Sequence, residues 1–306
     1  MALEELKYVP ILRWKQGEQF ALRKVEDADR QWMLPIAEVQ EVEASVAQPK
    51  LQKTMLESAG TDYPIGVDFA AAGPRLVPHA LLADRCRRLQ AAGVDAWPVI
   101  RVSHGIADLA GLSHFKDYSQ LVLRSRVDQS PLAEVLQVVA ALVRECGRTV
   151  EIHVVLDMYA IGDVNPVAKA AQLQPQVAAL SALARVQTVT VAGGSFPLGL
   201  GGLKQGGAHY LERKELKIWQ EVRKLPDCDE VIFGDYGVTN PEPLEEIDPS
   251  KLNPAAAIRY TLSTTWRVLR GGGVKTPGKG GMGQYKNLCK ILIKSPDYSG
   301  GDFQLR

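Results

Sequence analysis

The chain has 306 residues, 46% apolar and 23% charged, which is ordinary globular composition with enough apolar side chains for a large core. Basic and acidic residues nearly cancel, 36 Lys and Arg against 35 Asp and Glu, so overall charge points to no partner. Four scattered cysteines, Cys86, Cys146, Cys228 and Cys289, with no CxxC or Cys/His pairing, exclude a disulfide-built scaffold and argue against a zinc centre. They suit a reducing cytoplasm. The charged opening Met1–Lys7 does not read as a signal peptide, and no apolar run approaches the ~18 residues of a membrane span. The expectation is a cytoplasmic protein without a membrane partner; composition leaves the oligomeric state open.

Short apolar runs rich in β-branched residues recur along the chain with helical segments between them. The runs cover 8–13, 33–38, 64–69, 98–102, 120–124, 150–157, 188–193 and 230–235. Helical spacing follows Gly17, places Leu51, Met55 and Leu56 on one face, starts again at His79 and stops near Gly93. Ser130-Pro131 opens an amphipathic helix from Leu132 to Cys146, with Ser130 as cap and Pro131 as first helical residue. Another helix runs from about Pro166 to Arg185, and a last one holds Leu216, Trp219 and Val222. Eight strand-like runs alternating with helices predict an α/β fold built on a parallel sheet. Their number favours a closed (β/α)8 TIM-type barrel over an open Rossmann sheet. The Rossmann alternative lacks GxGxxG after an early strand, and the glycines of 193–202 come too late.

The character changes after the eighth run. Asn240–Glu246 is a turn-rich connector, and 257–263 and 265–270 read as two added strands. No acidic residue lies between Asp248 and Asp297, and residues 251–306 hold ten Lys or Arg against two Asp. The expected division is a barrel over 1–245 and a basic, Gly-rich C-terminal extension over 246–306, packed on the barrel. Gly271–Gln284, with its many glycines, reads either as a basic lid or arm whose Lys275 and Lys279 meet phosphates, or as a surface loop. It is not a Walker A loop, because Gly280 follows Lys279. A solvated basic helix is expected from Tyr285 to Lys294.

In a barrel, function gathers at the C-terminal ends of the strands. Glu38, Asp68, Arg101, Arg124, Asp157 and Asp235 stand at or near those ends. Strand parity turns Asp68, Arg101, Arg124 and Asp157 toward the axis, together with His153 deeper in its strand. In the eighth run Ile232 and Phe233 compete for one face, so parity is undecided there. Carboxylates beside guanidinium groups would suit an anionic ligand, a phosphorylated small molecule for example. Glu38, Asp68, Asp157 and Asp235 are the acid/base candidates, with hydrolase-like chemistry among the options, and could supply oxygen ligands to Mg²⁺ or Mn²⁺. Arg101 and Arg124 are the anion clamp. The competing reading is an internal salt-bridge network closing the top of the barrel. A different class of function is a non-catalytic interaction protein whose basic C-terminal region binds nucleic acid or an acidic partner.

Tyr8–Leu12, Lys15–Glu18, Ala21-Leu22 and Leu34–Glu38, with Arg259-Tyr260, Trp266, Arg270-Gly271 and Gln284, resemble the "beta protein" family of phages and bacteria. The resemblance spans the chain and implies a phage-related setting, with phage–host conflict as the context for an interaction role. It carries over no catalytic residues. It also implies a divergent or shortened end at Phe303–Arg306, because relatives run further past the position matching Tyr298–Asp302.

Overall fold

A computed structural model of the chain describes residues 6–40, 48–70, 77–147, 149–242, 253–278 and 280–300. No helix among them is long and apolar enough to cross a membrane. The described residues fall into two compact units, the first within 1–159, 163–193 and 218–237, the second within 160–162, 194–217 and 238–306.

The first unit is a closed barrel. Its strands are β1 (Tyr8–Arg13), β2 (Ile36–Gln40), β3 (Ile65–Ala70), β4 (Ala96–Arg101), β5 (Gln120–Arg126), β6 (Glu151–Ala160) and β7 (Val186–Gly194), with β9 (Ile232–Asp235) closing the ring between β7 and β1. The pairings are parallel, as in β4 on β5 with Arg101 level with Arg124. Helices follow the strands: α1 (Gln16–Arg23), α2 (Asp27–Arg30), α3 (Gln48–Ala59), α4 (His79–Ala91), α5 (Val102–Ala107), α6 (Leu132–Cys146) and α7 (Pro166–Ser181), with α8 (Lys214–Val222) before β9. The fold is an α/β TIM-type barrel. All eight anticipated runs are its strands.

Burial on both faces explains why these runs are almost continuously apolar. Val9, Ile36, Val99, Val122 and Val155 form one buried cluster inside the ring, while Leu121, Leu123, Ile152 and Val154 are buried on the other face. In β9 the contest is resolved: Ile232 joins the interior cluster, and Phe233 stacks on Tyr8 with ring centres 5.8 Å apart. Gly234 sits in the closure seam because a Cβ there would lie 2.9 Å from Ala192 Cβ, Thr190 Cγ2 and the Val9 carbonyl. One boundary differs from expectation. Pro131, not Ser130, is the N-cap of α6, since its ring fixes φ but its extended ψ keeps it outside the helix.

The second unit contains β8 (Ala208–Glu212), β10 (Ala255–Thr261) and β11 (Thr265–Gly273) in one antiparallel sheet of order β10-β11-β8, and the helix α9 (Gln284–Ile293). Ala256, Leu269, Leu288 and Leu292 form one of its core clusters, and Phe196, Trp266 and Val268 form another. The glycine run is not all loop. Gly271–Gly273 end β11, and Gly281–Gly283 form a 3₁₀ turn into α9. Close approach requires glycine: a Cβ on Gly271 would meet Gln284 Oε1 at 2.8 Å, and Gln284 accepts a hydrogen bond from the Gly272 amide at 2.8 Å.

Candidate functional site

Two residues beyond Val122 on β5, the same strand face carries Arg124 to the C-terminal end of the barrel, and its side chain is 5% exposed. Its guanidinium is shared among three carboxylates. Nε and one terminal nitrogen donate to Asp157 Oδ2 at 3.0 and 2.7 Å. The other terminal nitrogen donates to Glu38 Oε1 and to Asp68 Oδ2, each at 2.7 Å. Tyr236, just past β9, accepts from Arg124 and donates its hydroxyl to Asp157 Oδ2 at 2.6 Å. The second Asp157 oxygen accepts the Tyr159 amide at 2.8 Å. That bond holds Tyr159 at φ 58°, a left-handed conformation that side chains other than glycine rarely adopt.

Arg101, at the end of β4, completes the cluster. Its Nε reaches Asp68 Oδ1 and Oδ2 at 3.0 and 3.1 Å, and a terminal nitrogen reaches Oδ2 at 3.1 Å. Burial pushes the Asp68 carboxyl up, but Arg101 and Arg124 outweigh it and hold the group below its ordinary value. In return Asp68 raises Arg101. Burial opposes the charge on Arg124, yet Tyr236 and the surrounding carboxylates carry its pKa well above normal. Burial also raises the Tyr236 hydroxyl far above its usual value. Both guanidiniums and Asp68 are therefore charged at neutral pH.

The groups differ in what they can still do. Asp157 and Asp68 side chains are 0% and 2% exposed, whereas Glu38 keeps 16% and Arg101 35%. Every nitrogen of Arg124 is engaged, so it is a strut holding three strands' carboxylates, not an open anion clamp. Arg101 has one terminal nitrogen that bonds nothing among the described residues, on a side chain that keeps contact with solvent. Among the described residues no group of three or more His, Cys, Asp and Glu is placed to hold a metal ion. Arg124 occupies the space where an ion shared by Glu38, Asp68 and Asp157 would sit.

The structure does not bring Asp235 to this cluster. It has the parity of Phe233, is 3% exposed, and accepts hydrogen bonds from the Tyr8 hydroxyl at 2.6 Å and the Gly237 amide at 2.9 Å. Lys275 lies in the second unit, where its amide donates to Asn253 Oδ1 at 2.8 Å. Lys279 lies outside the described residues. In the same unit Arg267 pairs with Asp297 at 2.7 Å and Arg259 donates to the Val238 carbonyl at 2.8 Å. Lys286, Lys290 and Lys294 remain exposed along α9 and its C-cap.

His153 lies in the interior as expected, but the polar chain it joins at the opposite end of the barrel was not foreseen. Gln120 donates to Glu151, so its carbonyl oxygen faces His153 Nε2 at 3.1 Å, and the ring accepts from Thr188 through Nδ1 at 2.9 Å. Trp97 stacks on the imidazole with ring centres 5.0 Å apart. Burial pushes His153 down to about 4, so it is neutral. These side chains border a cavity of about 1260 Å³ at the N-terminal strand ends. The shared inward parity of His153 and Asp157 was the available signal. The partners of His153 on β5 and β7 could not be matched to it without the register. His104 on α5, near Arg101, was also missed; burial and Arg101 lower it to about 4.

The Beta protein family matches residues 8–305. This chain belongs to that family. No curated protein matches this chain. Among solved structures it is similar to a Sinorhizobium meliloti protein designated "putative isomerase", with 10% identity and a TM-score of 0.43. The match covers 93% of this chain and 61% of the other, so it spans about three fifths of that protein's length.

Proposed function

We propose that the barrel mouth binds a small anionic ligand of phosphate type through the outer edge of Arg101. The observation that supports this most is the contrast between two guanidiniums. Arg124 is fully engaged and buried, while Arg101 is fixed by Asp68 on one edge and has a terminal nitrogen that bonds nothing among the described residues. A guanidinium held in place by a carboxylate loses little rotamer freedom when an anion arrives. Glu38, beside it and partly exposed, is the carboxylate best placed to exchange a proton with such a ligand. Asp68 and Asp157 serve as counter-charges, because both are occupied by arginines. In this reading hydrolase-like chemistry would rest on Glu38, and the remaining groups position it.

Titration calorimetry with phosphate, pyrophosphate and sugar phosphates tests the reading. Binding at neutral pH that falls about tenfold or more in Arg101→Ala supports it, the loss expected for a charge-assisted hydrogen bond. No binding, or binding indifferent to Arg101→Ala, removes it.

A second reading concerns the second unit. Lys286, Lys290 and Lys294 recur at four-residue spacing on one side of α9, among exposed Ile291 and Ile293. This row supports contact with a polyanion, nucleic acid above all, by a protein acting without catalysis.

A further inference from the structure

Beside β1 lies a cavity of about 640 Å³ that takes no part in the arginine cluster. Its walls come from the end of β1, from α1 and from the first turns of α3. Such a volume is in the range of small-molecule sites. Its chemistry is uneven: Lys15, Arg23 and Lys50 border it, and among the described residues no acidic one does. Arg23 is partly engaged, with one terminal nitrogen 3.0 Å from Glu57 and Nε donating to Ser58 at 3.4 Å. The Lys50 ammonium has no partner among the described residues, the Lys15 ammonium interacts electrostatically with Glu18 without a close ion pair, and both lysines are exposed. With Arg23 paired to Glu57, the two exposed lysines are the cations left to meet an anion in the cavity.

The remaining wall is aromatic. Trp14 is buried, its indole N–H donating to Thr54 Oγ1 at 3.2 Å, which fixes the ring. Phe20 is 59% exposed on α1, and borders the cavity together with Lys15 and Leu51. Lys24 Nζ lies 5.6 Å from its ring centre, and the rest of so open a ring leaves apolar area in water that a flat ligand would cover. The α1 N-terminus itself is not the anion site, since Glu18 already accepts the Lys15 amide at 3.2 Å. Charge for a ligand must come from the side chains.

We infer that this cavity binds a phosphate ester carrying a flat ring, with Lys15 and Lys50 holding the phosphate and Phe20 stacking on the ring. The shared chemistry admits a nucleoside phosphate or an aryl phosphate. The site is independent of the mouth reading: it does not use Arg101, although the Trp14 backbone N–H donates to the Glu38 carbonyl at 3.0 Å and so places the cavity next to β2.

The test is calorimetric titration of the full chain with AMP, phenyl phosphate, ribose 5-phosphate and inorganic phosphate. Wild type, Lys15→Ala/Lys50→Ala, Phe20→Ala and Arg101→Ala are compared, with circular dichroism confirming that each variant is folded. AMP or phenyl phosphate is expected to bind more tightly than ribose 5-phosphate and inorganic phosphate. Phe20→Ala is expected to remove that preference, a loss of about fivefold or more for one stacked ring. The double lysine variant should bind AMP and phenyl phosphate about tenfold or more weakly, and Arg101→Ala should weaken neither of these two. AMP binding alone assigns a nucleoside phosphate, and phenyl phosphate binding at equal strength assigns the broader aryl class. Absence of binding by both ring-bearing phosphates, or binding unchanged in the double lysine variant, overturns the proposal. Dependence of AMP and phenyl phosphate on Arg101 instead would overturn it too and return those ligands to the mouth.

Discussion

Arg124 grips a single oxygen of Asp157 with two nitrogens, at 3.0 and 2.7 Å, while both side chains are 5% exposed or less. Removing one member of a buried ion pair leaves the other without compensation, which costs more than the pair itself contributes. Arg124→Met would strand Glu38, Asp68 and Asp157 around an apolar side chain. Urea unfolding at pH 7 should show a loss of about 3–5 kcal/mol. Arg124→Lys should recover little of it, because one ammonium cannot reproduce the five-donor fork that meets three carboxylates and Tyr236. A loss below about 1 kcal/mol for Arg124→Met would mean the cluster is not the buried network described.

Acid sensitivity should come from histidine before carboxylate. His153 and His104 are each lowered from 6.5 to about 4, His153 by burial and His104 by burial first and then Arg101. Between those values the unfolded chain binds protons that the folded barrel refuses, so stability falls as pH drops from 6.5 toward 4 and is fully present above 6.5. His153 accounts for about 3 kcal/mol across that window, and His104, which is less enclosed, for less. Asp68, being lowered, loses its contribution only at more acidic pH. Melting curves of His153→Gln should therefore show a shallower fall of Tm across the window than wild type. Identical pH profiles would contradict a neutral, buried His153.

The closure of the ring rests on a small residue. Gly234 lies between β7 and β1, and an added methyl would press on Ala192, Thr190 and Val9 at 2.9 Å. All three belong to neighbouring strands that are themselves pinned in the barrel, so none can yield cheaply. Gly234→Ala should lower stability by about 1–3 kcal/mol, read from chemical denaturation. A neutral outcome would argue that β9 is not tightly seated.

Much of the barrel could be read from residues because parallel strands buried on two faces announce themselves as continuous β-branched runs. The mouth was legible for a related reason. Val99, Val122 and Val155 point inward, so Arg101, Arg124 and Asp157, two places further along, must follow them. Parity gave direction but not partners. That Arg124 would use all its donors internally, leaving Arg101 as the open one, depends on how deep each side chain sits, which alternation does not encode. Asp235 was misleading because Ile232 and Phe233 are equally apolar and only the aromatic neighbours Tyr8 and Trp219 decide which faces out. β8 was not anticipated: its five residues alternate between exposed and half-buried, and their partner is the distant β11. Charge segregation was plain in 251–306, yet several arginines there turn inward to Asp297 and to carbonyl oxygens, so the exposed charge on α9 comes from its lysines.

If the α9 row meets phosphates, its contribution is electrostatic and additive. Replacing Lys286 and Lys290 with Ala should weaken binding to duplex DNA and reduce the slope of log K against log salt by about one unit for each phosphate no longer neutralised. An unchanged slope, or no DNA binding at low salt, would remove the second reading and leave α9 as a solvated helix whose Leu288 and Leu292 pack with Ala256 and Leu269.

The arginine side-chain resonances offer the most direct measurement of the mouth. ¹⁵N spectra of the guanidinium groups, assigned with Arg101→Lys and Arg124→Lys, can be followed as pyrophosphate is added at pH 7. Saturable movement of Arg101 is expected, since its outer nitrogen bonds nothing among the described residues, while Arg124 stays fixed within its carboxylates. An Arg101 signal that does not move while pyrophosphate binds elsewhere, or that moves no more than the surface arginines, would contradict the mouth as an anion site.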